Sequence, residues 1–340
     1  MGDAVKLGVD MFLLDDGWFG NKYERHSDTQ GLGDWDETKH KLPHGIQKLV
    51  DEAAKRNIKF GIWIEPEMVS PKSELYEKHK DWVIHLPNRD EYYFRNQMVL
   101  DLSNPEVQDF VFGVVDGLMT KYPGIAYFKW DCNSPITNIY SPYLKDKQTH
   151  LYVDYVRGLY KVLDRIKAKY PKLPMMLCSG GSGRIDYEAL KYFTEFWASD
   201  NTDPIQRLFI QYGYSFFYPA KSMSAHVTTW NKNASIKFRT DVAMMGKLGF
   251  DIKLSDMSGD DLTYCQGAVK NYNACVRPSW KATSTVSCLP TKACAPMRPT
   301  NSYARTRTKP WSLPSMCIRV MARSSSRYAC KAWMPTSSTA

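Results

Sequence analysis

Five apolar runs constrain this chain more than any other feature: "VDMFLLDD", "KFGIWIEPE", "IAYFKWD", "PMMLCSGG" and "EFWASD" each end in charged or glycine residues. Strands buried on both faces read as nearly continuous apolar segments, so the runs predict a parallel sheet covered by helices. The stretches between them carry helical signals. In "NPEVQDFVFGVVDGLMTKY", Asn104 is placed to cap, Pro105 to occupy the first turn, and Val107, Phe110, Val111, Val114, Val115 and Leu118 form one stripe. "GIQKLVDEAAKRN" and "HLYVDYVRGLYKVLDRIKAKYP" have the same pattern, and "GYSFFYPAK" and "DVAMMGKLGFDI" are taken as two further strands. Seven strands that all carry polar residues at their C-terminal ends suit a (β/α) barrel better than an open sheet. No internal repeat is present, and no apolar run approaches the ~18 residues of a membrane span.

The formal net charge of +9 would suggest an acidic partner if it were spread evenly. It is not. Residues 275–340 hold seven Arg, four Lys and no Asp or Glu, which leaves residues 1–274 near −2. The same tail contains Cys275, Cys288, Cys294, Cys317 and Cys330, is rich in Ser, Thr and Pro, and shows neither strand nor helix periodicity. Three readings fit it: a basic disordered arm, a disulfide or metal module, or sequence foreign to the fold. Its cysteine spacings match no zinc pattern, and the break after "QGAVKNYNA" is abrupt, as a shifted reading frame would produce. The domain division predicted is therefore a partial catalytic barrel over 1–274 and an unassigned or disordered tail over 275–340. Neither nucleic acid nor a membrane is expected as partner.

The strand ends carry the chemistry. In order they present Asp15 and Asp16; Trp63, Glu65 and Glu67; Lys129 and Asp131; Cys178, Gly180 and Gly181; Trp197 and Asp200. A barrel brings such positions to one mouth. Carboxylates with tryptophan faces and a lysine, without histidine, do not resemble a Ser/His/Asp hydrolase or an imidazole metal site. They suit carbohydrate, and cleaving a glycosidic bond needs two carboxyl groups flanking the anomeric carbon. Taken singly, the same features have structural explanations: a strand-end "DD" caps helices, "CSGGSG" is a flexible turn, and Glu65 and Glu67 can buttress a neighbouring cation.

Seven motifs in order, "FLLDDGWFG", "GLGDW", "GIWIEPEMVSP", "RNQMVLDLSNPEV", "FKWDCN", "CSGGSGR" and "WASDNTD", closely resemble the α-galactosidases of glycoside hydrolase family 36 over residues 1 to about 274. The resemblance implies a (β/α)8 TIM-type barrel between an N-terminal β-sandwich and a small C-terminal β domain. It also implies removal of terminal α-1,6-linked galactose from melibiose and raffinose-type oligosaccharides with retention, without metal or organic cofactor, by proteins that are often homo-oligomeric. By motif, Asp131 corresponds to the nucleophile and Asp200 to the acid/base, with Asp203 as its nearest competitor. Asp15 and Asp16 match the pair gripping the galactose 4- and 6-hydroxyls, and Lys129 a further hydroxyl ligand. Arg95 and Trp63 match pocket residues, Cys178, Gly180 and Gly181 a lining loop, and Trp197 a wall. The family pattern has Met at 132 and Arg at 134, where this chain has Cys132 and Ser134.

Against that pattern the chain is expected to start within the barrel's first helix, without the first strand or the sandwich, and to be inactive and poorly soluble because the seam leaves two strand edges unpaired. A galactoside-binding remnant, a galactosyltransferase of the same family, and a metal enzyme using Asp15, Asp16, Glu65 and Glu67 are the other functional readings. Cys132, Cys178 and Cys265 are expected as free thiols, which fits a cytoplasmic or periplasmic bacterial enzyme.

Overall fold

The computed structural model describes residues 1–276 except 92, 231 and 232. The chain divides into units covering Met1–Val269 and Lys270–Ala340. Of the second, only a helical stretch ending at Val276 is described, so the expectations for the tail lie almost entirely outside the described residues.

The first unit alternates helix and strand. In chain order it runs α1 (Gly2–Leu7), β1 (Met11–Leu14), α2 (Gly45–Lys55), β2 (Lys59–Ile64), β3 (Met68–Val69), α3 (Glu74–Lys78), β4 (Met98–Val99) and α4 (Pro105–Lys121). There follow β5 (Ile125–Trp130), α5 (Leu151–Lys169), β6 (Met175–Leu177), β7 (Glu195–Trp197), α6 (Pro204–Ser215), β8 (Met223–Thr228), α7 (Ile236–Ala243), β9 (Lys247–Asp251) and α8 (Gly259–Asn271). Seven strands form one sheet in the order β1-β2-β5-β6-β7-β8-β9, each pair parallel, while β3 and β4 make a separate antiparallel ribbon. The sheet is curled: Met11 and Leu13 of β1 pack in the same apolar cluster as Tyr127, Met176, Cys178 and Trp197 of the far strands. This is the incomplete barrel that the sequence predicted, with β1 and β9 as its edges.

Local rules explain the elements. Asn104 accepts a bond from the Glu106 amide at 3.0 Å, Pro105 fills the first turn of α4, and the predicted stripe is buried apart from Phe110, which is half-buried against the core. One strand was misread. "GYSFFYPAK" forms the end of α6 and the turn after it, with Phe216 and Phe217 about two-thirds exposed, and the sixth barrel strand is instead "MSAHVT". Aromatic content favoured the wrong segment, whereas Ser224, His226 and Thr228 in a buried strand carry no apolar signal. Within "DVAMMGKLGFDI" only Lys247–Asp251 is strand, because Asp241 to Ala243 finish α7.

The seam between the edges is lined with apolar side chains. Leu7 and Val9, leading into β1, share a cluster with Leu248 and Phe250 of β9 and with Cys265 and Val269 of α8, and Gln266 donates to the Lys6 carbonyl at 2.7 Å. Side chains therefore bridge β1 and β9 across the seam, while the two edges share no ladder bonds. Cys132, Cys178 and Cys265 are free and buried. Among the described residues no helix is long and apolar enough to cross a membrane.

Where α5 meets the loop before α4, there is no room for a side chain. A Cβ on Gly158 would stand 1.8 Å from the Leu102 carbonyl oxygen, an atom fixed by the backbone and also bonded by the Gln108 side chain. Gly158→Ala gains helix propensity of about 1 kcal/mol but must push α5 off that loop, so denaturant unfolding should show a net loss of about 2–3 kcal/mol. An unchanged or raised midpoint would contradict this packing.

Candidate active site

At the end of β5 the chain passes from Trp130 to Asp131, whose carboxylate is 7% exposed and held on both oxygens. The Trp63 indole donates to Oδ2 at 3.2 Å, and the Cys132 amide to Oδ1 at 2.9 Å. Parallel register sets Trp63 beside Lys129, which delivers the indole from β2 to the β5 terminus. Trp63 is itself fixed: its carbonyl accepts from the Trp18 indole at 2.9 Å, and its ring packs against Phe19 and Trp35. Only 3% of Trp63 is exposed, so its visible contact with the site is the N–H on Asp131.

Lys129 and Asp15 meet at 2.8 Å. Burial would lower the lysine pKa, but the charge and hydrogen bond of Asp15, with the charge of Asp131, outweigh it and hold the group firmly cationic. Asp15 Oδ1 also accepts the Asp16 amide at 2.9 Å. Asp16 is gripped by the Arg25 guanidinium through Nε and Nη2 at 3.1 and 3.0 Å, and Arg25 is buried. Arg25 belongs to the site although the sequence reading passed over it; an arginine nine residues downstream in a loop gives no periodic signal.

Glu65 and Glu67, both at the end of β2, have different fates. Glu67 is fully buried and receives Arg184 at 2.7 and 2.9 Å, Trp130 at 2.8 Å and Tyr155 at 2.6 Å, which makes it a buttress behind the mouth. Glu65 accepts the Asn133 amide at 2.6 Å and the Gln97 side chain at 3.0 Å. Burial, and then the charge of Asp131, push its carboxyl up to about 8. Asp15 and Asp16 lie on another strand end with cationic partners of their own, and among the described residues no group of three or more His, Cys, Asp or Glu is placed to hold a metal.

The loops after β6 and β7 complete the site. Gly180 and Gly181 have φ of +57° and +109°, and a Cβ on Gly181 would lie 2.9 Å from the Ser199 Cα, where the two loops form a bridge. The Gly180 amide donates to Asn133 Oδ1 at 2.7 Å, tying this loop to the one after Asp131. Burial raises the Cys178 thiol well above its ordinary range, with the charge of Asp131 adding and that of Lys129 opposing. Asp200 is exposed, and its Oδ1 accepts the Trp197 indole at 2.9 Å. Asp203 caps α6 instead, accepting the amides of Ile205 and Gln206 at 2.9 and 3.0 Å. Trp197 is 6% exposed, with the Arg207 guanidinium 4.5 Å from its ring centroid and the His226 ring at 4.6 Å. Arg95 is exposed in the turn between Phe94 and Gln97, with φ of 52°.

A family model described as Melibiase matches residues 1–279. The chain is 42% identical over 261 residues to "Alpha-galactosidase AgaA" of Geobacillus stearothermophilus, covering 75% of this chain and 35% of that protein. To "Alpha-galactosidase 1" of Pediococcus pentosaceus it is 40% identical over 282 residues, covering 81% and 38%. The crystal structure of the Geobacillus enzyme, titled a GH36 α-galactosidase, superposes with a TM-score of 0.77 at 40% identity, over 81% of this chain and 38% of that one. A variant of that enzyme solved with raffinose gives 0.77 at 39% identity, over 81% and 39%. The chain thus spans little more than a third of the length of these relatives. Matched over most of its length by that model and by a fold of the same topology, the chain belongs to the melibiase family, glycoside hydrolase family 36.

Proposed function

We propose that this chain carries the catalytic centre of a retaining exo-α-galactosidase acting on terminal α-1,6-linked galactose in raffinose-type oligosaccharides and melibiose. The observation that carries the reading is Asp131: a buried carboxylate at a strand end of a curled parallel sheet, oriented by two N–H donors, with the exposed carboxylate of Asp200 in the loop after β7 and the charges of both acting on Cys178. Support for the substrate comes from relatives named α-galactosidases and from one of them crystallised with raffinose and with stachyose.

In this mechanism an Asp131 oxygen attacks the anomeric carbon as the glycosidic C–O bond breaks, and Asp200 gives its proton to the departing oxygen. The now ionised Asp200 takes a proton from water, which attacks the same carbon and releases Asp131, so two inversions give retention. A retaining pair of this kind works at a carboxyl separation of roughly 5–5.5 Å. Trp63 and Cys132 fix the direction of Asp131, so little reorganisation accompanies attack. Lys129 and Asp15, bonded to each other, offer a donor and an acceptor to adjacent sugar hydroxyls, with Asp16 held beside them by Arg25. Asp203 is committed to its helix cap, which favours Asp200 as the acid. The loop of Cys178, Gly180 and Gly181 supplies the other wall.

Activity is best measured on the chain joined to the flanking segments of the Geobacillus relative. There, Asp131→Ala should lower turnover of an aryl α-galactoside by roughly 10⁴-fold or more; ordinary hydrolysis by the variant would refute the assignment of the nucleophile. Asp200→Ala should slow raffinose hydrolysis by roughly 10²–10⁴-fold while sparing the first step with a good leaving group, where protonation matters least. Equal losses on both substrates would move the acid role elsewhere.

Glu65 gives a pH test that needs no activity. Its folded pKa, near 8, lies above the ordinary 4.5, so the folded state holds a proton that the unfolded chain releases first. The resulting penalty is absent below pH 4.5, grows as pH rises, and is complete above pH 8, with a slope of at most about 1.4 kcal/mol per pH unit. Across that window Glu65→Gln should lose less stability than the parent chain, as followed by thermal melting. Parallel curves would show that Glu65 does not hold the proton.

A further inference from the structure

Helix α6 breaks the usual rule for a helix packed on a sheet. Its buried positions are Pro204, Arg207 and Gln211, a polar stripe at helical spacing where apolar side chains belong. Arg207 is 2% exposed, and among the described residues its Nε and both Nη atoms have no hydrogen-bond partner. A guanidinium cannot shed its charge in a protein, and burial here opposes that charge, with only Asp200 nearby to favour it. The face of Trp197 at 4.5 Å supplies a partial offset but accepts no N–H bond.

The space beside Arg207 is a cleft between α6, β8 and α7, with about 240 Å³ of room, part of it open to solvent. Thr202, Arg207, His226, Thr228 and Arg239 line it, and no carboxylate does. Arg239 spends one Nη on the Thr228 carbonyl at 2.9 Å and leaves its Nε buried without a partner. His226 turns Nδ1 toward Asp251 at 3.3 Å. The Thr202 and Thr228 hydroxyls share a bond at 2.7 Å, and the Trp230 amide also donates to Thr228, which leaves a hydroxyl proton to turn inward. Two cations and a hydroxyl thus converge as donors.

We propose that this cleft binds a monatomic anion of halide size. Water would accept from Arg207 but would not compensate its buried charge or that of the half-buried Arg239 beside it, whereas an anion does both. The enclosed part of the cleft admits a body about the size of a water molecule, whose share of liquid volume is about 30 Å³. That fits chloride or bromide and is too small for phosphate or a ligand carboxylate. The residues lining the cleft include none of those assigned to the sugar site, so the proposal stands whatever the enzymatic activity proves to be.

The test uses the 340-residue chain and bromide. Crystals grown in sodium bromide should give an anomalous peak in the cleft, within hydrogen-bonding distance of Arg207 and Arg239. In solution, the parent chain should melt about 2–4 °C higher in chloride or bromide than in gluconate at equal ionic strength, because only the folded state has the site. Arg207→Met and Arg239→Gln should lose that halide-specific difference. A cleft without anomalous density, or equal melting of the parent chain in halide and gluconate, overturns the proposal without reference to either variant. So does a halide-specific shift of full size in Arg207→Met.

Discussion

Two carboxyl groups buried side by side, Asp131 and Glu65, set the terms for the whole centre. Both sit at strand ends in low-dielectric surroundings, and the charge of Asp131 is one of the reasons that Glu65 keeps its proton up to about 8. Such a pair divides its roles by its donors. Asp131 receives an indole N–H and a backbone N–H on separate oxygens, while Glu65 receives the Asn133 amide and the Gln97 side chain on a single oxygen. Because Asn133 follows Asp131 by two residues, Glu65 also fixes the path of the chain leaving Asp131, and Asn133 in turn holds the Gly180 amide. A proton on Glu65 is therefore coupled to the position of three consecutive loops.

Much of this was legible in the sequence, for a definable reason. Strands buried on both faces declare themselves by composition, so Asp15, Lys129, Asp131, Cys178 and Asp200 could be assigned to one mouth from their positions after apolar runs. What the sequence could not supply was depth and direction. Glu65 and Glu67 occupy equivalent positions two residues apart, yet one feels the charge of Asp131 and the other is consumed by Arg184, Tyr155 and Trp130. Trp63 and Trp197 were expected as faces for sugar, and the structure gives each a buried ring whose N–H orients a carboxylate. Arg25, Arg207 and His226 escaped notice because a loop arginine, a helix arginine and a strand histidine have no pattern to violate until the fold buries them.

The seam of the sheet follows a different logic. Parallel barrels close by hydrogen bonding, and β1 and β9 are not bonded to each other in this chain. Side chains bridge them instead, with Leu7 and Val9 meeting Leu248, Phe250 and α8. This cluster removes apolar surface from water but satisfies no backbone N–H or C=O of the two edges, so it lessens the exposure of the seam without abolishing it. Asp15 belongs to the loop leaving β1, and Asp251, the partner of His226, ends β9. The part of the mouth nearest the seam therefore rests on side-chain packing, whereas Asp131 rests on a central strand with bonded neighbours on both sides.

The polar stripe of α6 completes the physical account of Asp200. Buried ion pairs and buried cations are seldom the cheapest way to fill a core, and apolar residues of similar volume at such positions are often as stable or more so. Arg207 and Gln211 therefore point to a requirement other than packing. Gln211 meets its own by donating to the Val242 carbonyl at 2.8 Å, which joins α6 to the end of α7. Arg207 has no such bond; it lies against one ring whose N–H is given to Asp200. A cation near an indole draws electron density from the ring and strengthens its N–H as a donor, so Arg207 can act on Asp200 through Trp197 without touching it. An anion in the cleft would moderate that influence from behind. Asp200 is thus linked through the Trp197 indole to a buried cation that it does not itself bond.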